Sequence, residues 1–168
     1  MKDRFANQRQ KSFLAQLGEF PSLEDENDDL TRRCKFNFSY FDASQEAGQD
    51  FRDWNHQQLC KLLDKLKDYS KESLDYWRNQ RCGRGGRKVL EVYGAFPKQS
   101  SFSQPRYVPH QVEWGRFRLE NKVRLIGFVI PAELHRKPHC KTGELFDKNT
   151  FYVIFLDRDH RFYLTEKK

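Results

Sequence analysis

An apolar run, Phe151-Tyr152-Val153-Ile154-Phe155-Leu156, passes directly into Asp157-Arg158-Asp159-His160-Arg161-Phe162-Tyr163 near the end of this chain. A buried strand ending in that text delivers an imidazole, two guanidinium groups and a phenol to one place. Imidazole titrates near neutral pH and can take or give a proton. Guanidinium forks onto phosphate oxygens, and an aromatic ring stacks on an unpaired base. Such a set suits an RNA phosphate better than it suits a plain core. A second basic set lies upstream in Trp114-Gly115-Arg116-Phe117-Arg118-Leu119-Glu120-Asn121-Lys122-Val123-Arg124-Leu125-Ile126. Its alternation predicts two strands, with Arg116 and Arg118 on one face.

Each of these residues also has a plain structural reading. His160 can cap a turn through Asp157 or Asp159. Arg124 can make a surface ion pair with an acid on a neighbouring strand, and Tyr163 can pack in the core or at an edge. His110, just before the strands, is a further candidate for the same site. A third basic stretch, Arg81-Cys82-Gly83-Arg84-Gly85-Gly86-Arg87-Lys88, reads as a glycine-broken loop. Its Arg84, Arg87 and Lys88 are placed to meet a nucleic-acid backbone, and a solvated loop is the equal alternative. The stretch lacks the Gly-x-x-x-x-Gly-Lys-Ser/Thr pattern of a nucleotide-hydrolase phosphate loop.

The elements that must hold these groups follow from periodicity. Residues 1–33 read as an N-terminal arm, with Phe5, Phe13, Leu14, Leu17 and Phe20 on one side of a short helix before an acidic run. Residues 34–168 read as one domain. Cys34 to Phe41 alternates like a strand. Asp42 or Ser44 is expected to cap a helix, with Glu46 and Asp50 near its start, in which Phe51, Trp54, Leu59, Leu62, Leu63, Leu66 and Tyr69 recur at helical spacing. Ser70 is expected to cap a second helix reaching about Gln80. Residues 89–112, with Pro97, Pro105 and Pro109, read as a long connection. Strands follow at 114–119, 122–130 and 151–156, with an extended connection at 131–148 and a short fourth strand at 161–164. The expected class is α+β: an N-terminal strand and two helices packed on a C-terminal antiparallel sheet.

Composition bounds the partners. The chain has 168 residues, enough for one domain with a real core, and a net charge of +7. Six acids between Glu19 and Asp29 face no Lys or Arg within that stretch. Without them 31 bases stand against 18 acids, +13 for the remainder. A polyanionic partner is the consequence, with the acidic run either a solvated linker or a cover for the basic face. No apolar run approaches the roughly 20 residues of a membrane-spanning helix, and the first ten residues lack a signal-peptide core. Cys34, Cys60, Cys82 and Cys140 form no Cys-x-x-Cys pair, so free thiols in a cytoplasmic protein are expected. His135, His139 and Cys140 lie close in sequence, but Pro138 interrupts them and no second cluster completes a site. No metal or cofactor is expected.

The Trp114–Ile126 strand pair and the Phe155–Tyr163 ending, taken with the order of elements, resemble the RelE/YoeB-like toxins, small ribonucleases of bacterial toxin–antitoxin systems. The likeness covers about residues 34–164, with an enlarged middle at 81–112 and an insertion at 131–148. It implies a RelE-like fold and metal-independent endoribonuclease chemistry on mRNA at the ribosome. It also implies an antitoxin protein as inhibitor. Carried onto this sequence, His160 takes the position of the terminal catalytic residue and Tyr163 that of the terminal aromatic, with Arg161 and Phe162 between them. Arg124 matches the arginine that meets the scissile phosphate. Arg116 and Arg118 match flanking basic positions, and Lys122, Arg158 and Arg161 add cations for RNA. Glu113, ahead of Glu120, stands where some members carry a carboxylate base. The rival reading is a binding module: a non-catalytic RNA- or DNA-binding protein, such as an accessory or inhibitor in phage defence, using the same residues for backbone contacts and stacking.

Overall fold

The structure is a computed structural model that describes residues 11–13, 15, 23, 30–83 and 85–164. The chain divides into two units, Met1–Thr31 and Arg32–Lys168. In the first, residues 11–13 and 15 are helical. The other residues of the proposed amphipathic face, and the acids from Glu19 to Asp29, lie outside the described residues.

The second unit is α+β. Its strands are β1 (Lys35–Asn37), β2 (Arg81–Cys82), β3 (Arg87–Lys88), β4 (Leu90–Gly94), β5 (Glu113–Glu120), β6 (Val123–Val129) and β7 (Thr150–Asp157). Helix α1 spans His56–Tyr69 and α2 spans Leu74–Asn79. The main sheet runs β1-β7-β6-β5-β4, while β2 and β3 form a separate hairpin. The sheet is mixed, since β1 lies parallel to β7 and the remaining pairs are antiparallel. The C-terminal strands β5, β6 and β7 pair antiparallel as expected, and β1 joins their sheet in parallel. The turns and helices between β1 and β7 return the chain in the parallel direction, which a tight hairpin cannot do.

Helix α1 begins well after Asp42 and Ser44. The Asp42 carboxylate accepts from both the backbone N–H and the hydroxyl of Ser44, at 2.8 and 2.6 Å, a local turn that competes with helix. A short 3-10 turn at Phe51–Asp53 follows, capped by Asp50. Asn55 and Gln58 then form a reciprocal capping box that starts α1. Ser70 ends α1 by donating its hydroxyl to Leu66 O, and Ser73 caps α2.

Residues 89–94 also depart from the expected connection, because β4 occupies most of them. Only two residues per face are available to show its alternation, and proline-rich text follows. The expected fourth strand at 161–164 is absent. The Asp157 carboxylate accepts from the N–H groups of Arg161 and Phe162, each at 2.9 Å, and turns the chain away from the sheet. That segment instead bonds to the loop around residues 99–101. The 131–148 insertion folds on itself through reciprocal bonds between the Arg136–Lys137 and Phe146 backbones, where an extended connection was expected.

Two apolar layers hold the sheet. On the helical side Leu62, Tyr69 and Leu74 pack with Leu90, Phe117, Leu125, Phe151 and Val153. Phe117 is fully buried and stacks on Tyr69 at 4.8 Å. Burying such a ring contributes roughly 1.5–3 kcal/mol. On the other side Trp114, Ile126, Phe128, Ile154 and Phe155 pack with Phe102, Val108 and Phe162. The loop after β4 and the chain end therefore serve as a lining where helices are lacking. Among the described residues no helix is long and apolar enough to cross a membrane.

Candidate functional site

Three strands bring the basic positions together. Arg118 lies opposite Arg124, and Arg124 lies opposite Asp157, so one cross-strand row reads Arg-Arg-Asp. In the next row Glu91 pairs with Arg116, which pairs with Ile126. Alternation along β5 puts Arg116 and Arg118 on the face that also carries Trp114, away from the helices. At the end of β7 the Asp157-held turn brings His160 to this face. His160 sits at φ 62°, in the left-handed region that costs a side chain more than it costs glycine. Phe162, fully buried against Phe96 and Trp114, anchors the turn from the far side.

Arg116 is the centre of the cluster. Its Nη1 lies 2.8 Å from His160 Nε2, and its Nη2 donates to Glu91 Oε2 at 2.8 Å. The guanidinium carbon stands 5.4 Å from the centroid of the Tyr93 ring, a cation–π contact. Tyr163 stacks on Tyr93 at 4.9 Å and 8° between planes. Its side is open to solvent at 38% exposure, whereas the Arg116 side chain is only 12% exposed. Three side chains, Glu91 and Tyr93 from β4 and His160 from the turn after β7, thus converge on one guanidinium.

The contact fixes the state of the imidazole. A guanidinium only donates, so Nε2 must accept, and a neutral His160 carries its proton on Nδ1. Burial pushes the His160 pKa below its usual value, and the cations Arg116 and Arg124 push it further in the same direction. The ring is held as a base whose lone pair is occupied by Arg116.

Arg124 lies behind this site. It is 1% exposed, and its Nη1 donates to the carbonyls of Glu120, Asn121 and Val123 at 3.1, 2.9 and 2.7 Å. Burial, with Arg118 and Arg116 nearby, lowers its pKa to about 10, which leaves it charged at neutral pH. It is a buried brace of the β5–β6 turn, which replaces the surface ion pair considered above. The Nε groups of Arg118 and Arg124 and the hydroxyl of Tyr93 are buried with no hydrogen-bond partner among the described residues. Burial raises the Tyr93 hydroxyl above its ordinary range.

Other candidates stand elsewhere. Glu113 is an odd number of positions from Arg116, hence on the opposite face, and pairs with Arg78 at 3.5 Å. This corrects its placement as the carboxylate of the site. The carboxylate that meets Arg116 is that of Glu91. Glu120 pairs with Lys61 at 3.5 Å. Arg158 and Arg161 are exposed on the turn, each within 4.0 Å of Asp159. Lys122 is exposed at the β5–β6 turn, Arg87 and Lys88 are exposed on β3, and His110 is exposed in its loop. Arg84 lies outside the described residues. His139 Nδ1 lies 3.2 Å from the Thr142 hydroxyl within the insertion. Among the described residues no group of three or more His, Cys, Asp or Glu is arranged to hold a metal ion.

Glu91 and Tyr93 are the two site residues that sequence reasoning missed. Their signal was the short alternation Leu90-Glu91-Val92-Tyr93 closed by Gly94. Comparison with protein-family models, with curated proteins and with solved structures finds no match.

Proposed function

We propose that the chain is a metal-independent RNA endonuclease toxin of RelE/YoeB-like arrangement, cleaving mRNA at the ribosome and restrained by an antitoxin protein. One observation carries the reading: Arg116 holds His160 Nε2 with one nitrogen and Glu91 with the other, beside the stacked Tyr93–Tyr163 pair. A phosphodiester entering here gives Arg116 a stronger acceptor than a neutral imidazole. Its departure from Nε2 frees the lone pair to take the ribose 2′-hydroxyl proton. The 2′-oxygen then bonds to the adjacent phosphorus, the bond to the 5′-oxygen breaks, and that oxygen takes the proton of the Tyr163 hydroxyl, which solvent restores as His160 releases to solvent the proton it took. The products are a 2′,3′-cyclic phosphate and a 5′-hydroxyl. Arg116, with the fixed charge of Arg124 behind it, offsets the charge that develops on phosphate oxygens. Glu91, freed with Arg116, is the second group able to serve as base.

The test is incubation of purified protein with single-stranded RNA in excess EDTA, followed by analysis of the product ends. Cyclic-phosphate ends from the wild type, absent with Arg116→Ala and His160→Asn, support the reading. Intact RNA from a folded wild type, with and without ribosomes, overturns it.

A second reading is favoured by a specific observation. His160 Nε2 and Arg124 Nη1 already have internal partners, as they would in a basic binding module without catalysis. Salt-sensitive binding of RNA that is never cut would identify that case.

A further inference from the structure

We propose that the opening between the β2–β3 hairpin and the β5–β6 turn is a phosphate subsite for single-stranded RNA, with Arg118 and Arg87 as its ligands. It rests on the reading of RNA as substrate and extends the Arg116 site by one step along the strand. The opening measures about 320 Å³ and is lined by Cys82, Gly83, Gly85, Arg87, Arg118 and Asn121. Two of the six are guanidinium groups and none is a carboxylate. Arg118 borders it, and its Nε is buried without a hydrogen-bond partner among the described residues. A guanidinium is a forked cationic donor, and an anion in the opening would give Arg118 a charged acceptor.

The hairpin shapes the space. Gly83 at φ 68° and Gly86 at φ 59° make the turn, and the Arg81 guanidinium donates to Gly86 O at 2.7 Å to close it. Cys82 pairs with Arg87 in register, so Arg87 is carried by a paired strand instead of a loose loop. A side chain on Gly83 would meet nothing within 4 Å, so that wall is bare backbone facing open space. Acids do occur in the adjoining opening, which shares Cys82 and Arg118 and contains Asp68 and Glu72. Asp68 is already paired with Lys71 at 2.9 Å, and neither acid borders the hairpin opening.

Spacing links the two sites. Arg116 and Arg118 are two residues apart on one strand, about 6.6–6.8 Å, and alternate onto the same face. An extended RNA strand with one phosphate at Arg116 can present its next phosphate to Arg118. Arg87 closes on that phosphate from the hairpin.

The test uses a fluorescent single-stranded RNA 12-mer with 2′-methoxy groups, which cannot be cut, titrated by anisotropy over a range of salt. Arg87→Ala and Arg118→Ala should each weaken binding about fivefold and lower the log–log salt slope by about 0.7–1. Lys141→Ala, an exposed cation in the 131–148 insertion, should leave both unchanged. Unchanged slopes for Arg87→Ala, or an equal loss for Lys141→Ala, would overturn the subsite. The Arg87 side chain is exposed and makes no hydrogen bond or ion pair among the described residues, so its variant reads out even if Arg118→Ala fails to fold. Cleavage of the unmodified 12-mer separates the two proposals. Intact RNA with a lowered slope sinks the endonuclease and keeps the subsite, whereas cleavage with unchanged slopes sinks the subsite alone.

Discussion

The face of the sheet away from the helices has two ends built from the same strands. Near the β5–β6 turn it carries Glu91, Arg116, Arg118, Arg124 and Asp157 in adjacent rows. At the opposite end Phe128 stacks on Tyr152 at 4.8 Å, and Tyr40 stands edge-on to both. A register shift between Ile126 and Gly127 separates them: Ile126 pairs with Phe155, Gly127 with Val153, and Ile154 is the extra residue on β7. A side chain on Gly127 would reach within 2.1 Å of Tyr152 O, so the shift requires glycine. The aromatic end follows ordinary packing rules. The charged end keeps a buried cation, a left-handed histidine and, among the described residues, three buried donors or hydroxyls without partners. Local rules are broken at one end and kept at the other, a pattern expected where stability is given up for a site.

The sharpest way to break that comparison is to substitute each end and read both activity and stability. His160→Asn keeps a residue that tolerates positive φ while removing the imidazole. On the proposed mechanism it should lower cleavage by about 10²–10⁴-fold with little change in the urea midpoint. Phe128→Ala should do the reverse. Phe128 is 3% exposed, and its truncation should cost roughly 3–5 kcal/mol in urea unfolding at unchanged cleavage per folded molecule. A His160→Asn variant with wild-type cleavage, or a Phe128→Ala variant of full stability, would erase the distinction between the ends.

How much of this was readable in the sequence differs between the ends as well. Strands β5, β6 and β7 showed themselves because long alternation and apolar runs are local signals. The face shared by Arg116 and Arg118 followed from the same period. Glu91 and Tyr93 were hidden because β4 is short and sits between a glycine hairpin and a proline-rich loop. Glu113 was misplaced by parity alone: one position decides which face a strand residue occupies. The start of α1 was misread because Asp42, Ser44, Asp50 and Asn55 all carry cap chemistry. Only the tertiary arrangement makes Asn55 the helix cap. The burial of Arg124 was likewise invisible, since its acceptors are backbone carbonyls that every sequence contains.

Arg124 offers a smaller effect that sharpens the division within the charged end. If it braces the turn, Arg124→Ala should destabilise by about 1–3 kcal/mol, because the carbonyls of Glu120, Asn121 and Val123 lose their shared donor. Its effect on cleavage should be well below that of Arg116→Ala, since the guanidinium stands behind the reacting position. Equal losses from the two variants at equal stability would instead put Arg124 in direct contact with phosphate.

The smallest effect is the pH dependence of stability, and it tests the state assigned to His160. The folded protein holds this imidazole below its ordinary pKa of 6.5, through burial first and then through Arg116 and Arg124, against the opposing charge of Asp157. Below 6.5 the unfolded chain therefore binds more protons than the folded one. The contribution is fully present above pH 6.5 and is lost as pH falls through the depressed folded value. Urea midpoints at pH 7.5 and 5.5 should show a larger fall for the wild type than for His160→Asn, and the difference isolates this residue from the other four histidines. Cleavage should fail on the same acid limb, because a protonated Nε2 can neither accept from Arg116 nor take the 2′-hydroxyl proton. Equal midpoint shifts in the two proteins would mean that His160 is not held neutral by the cluster, and its contact with Arg116 would then be incidental to the chemistry proposed for that end of the sheet.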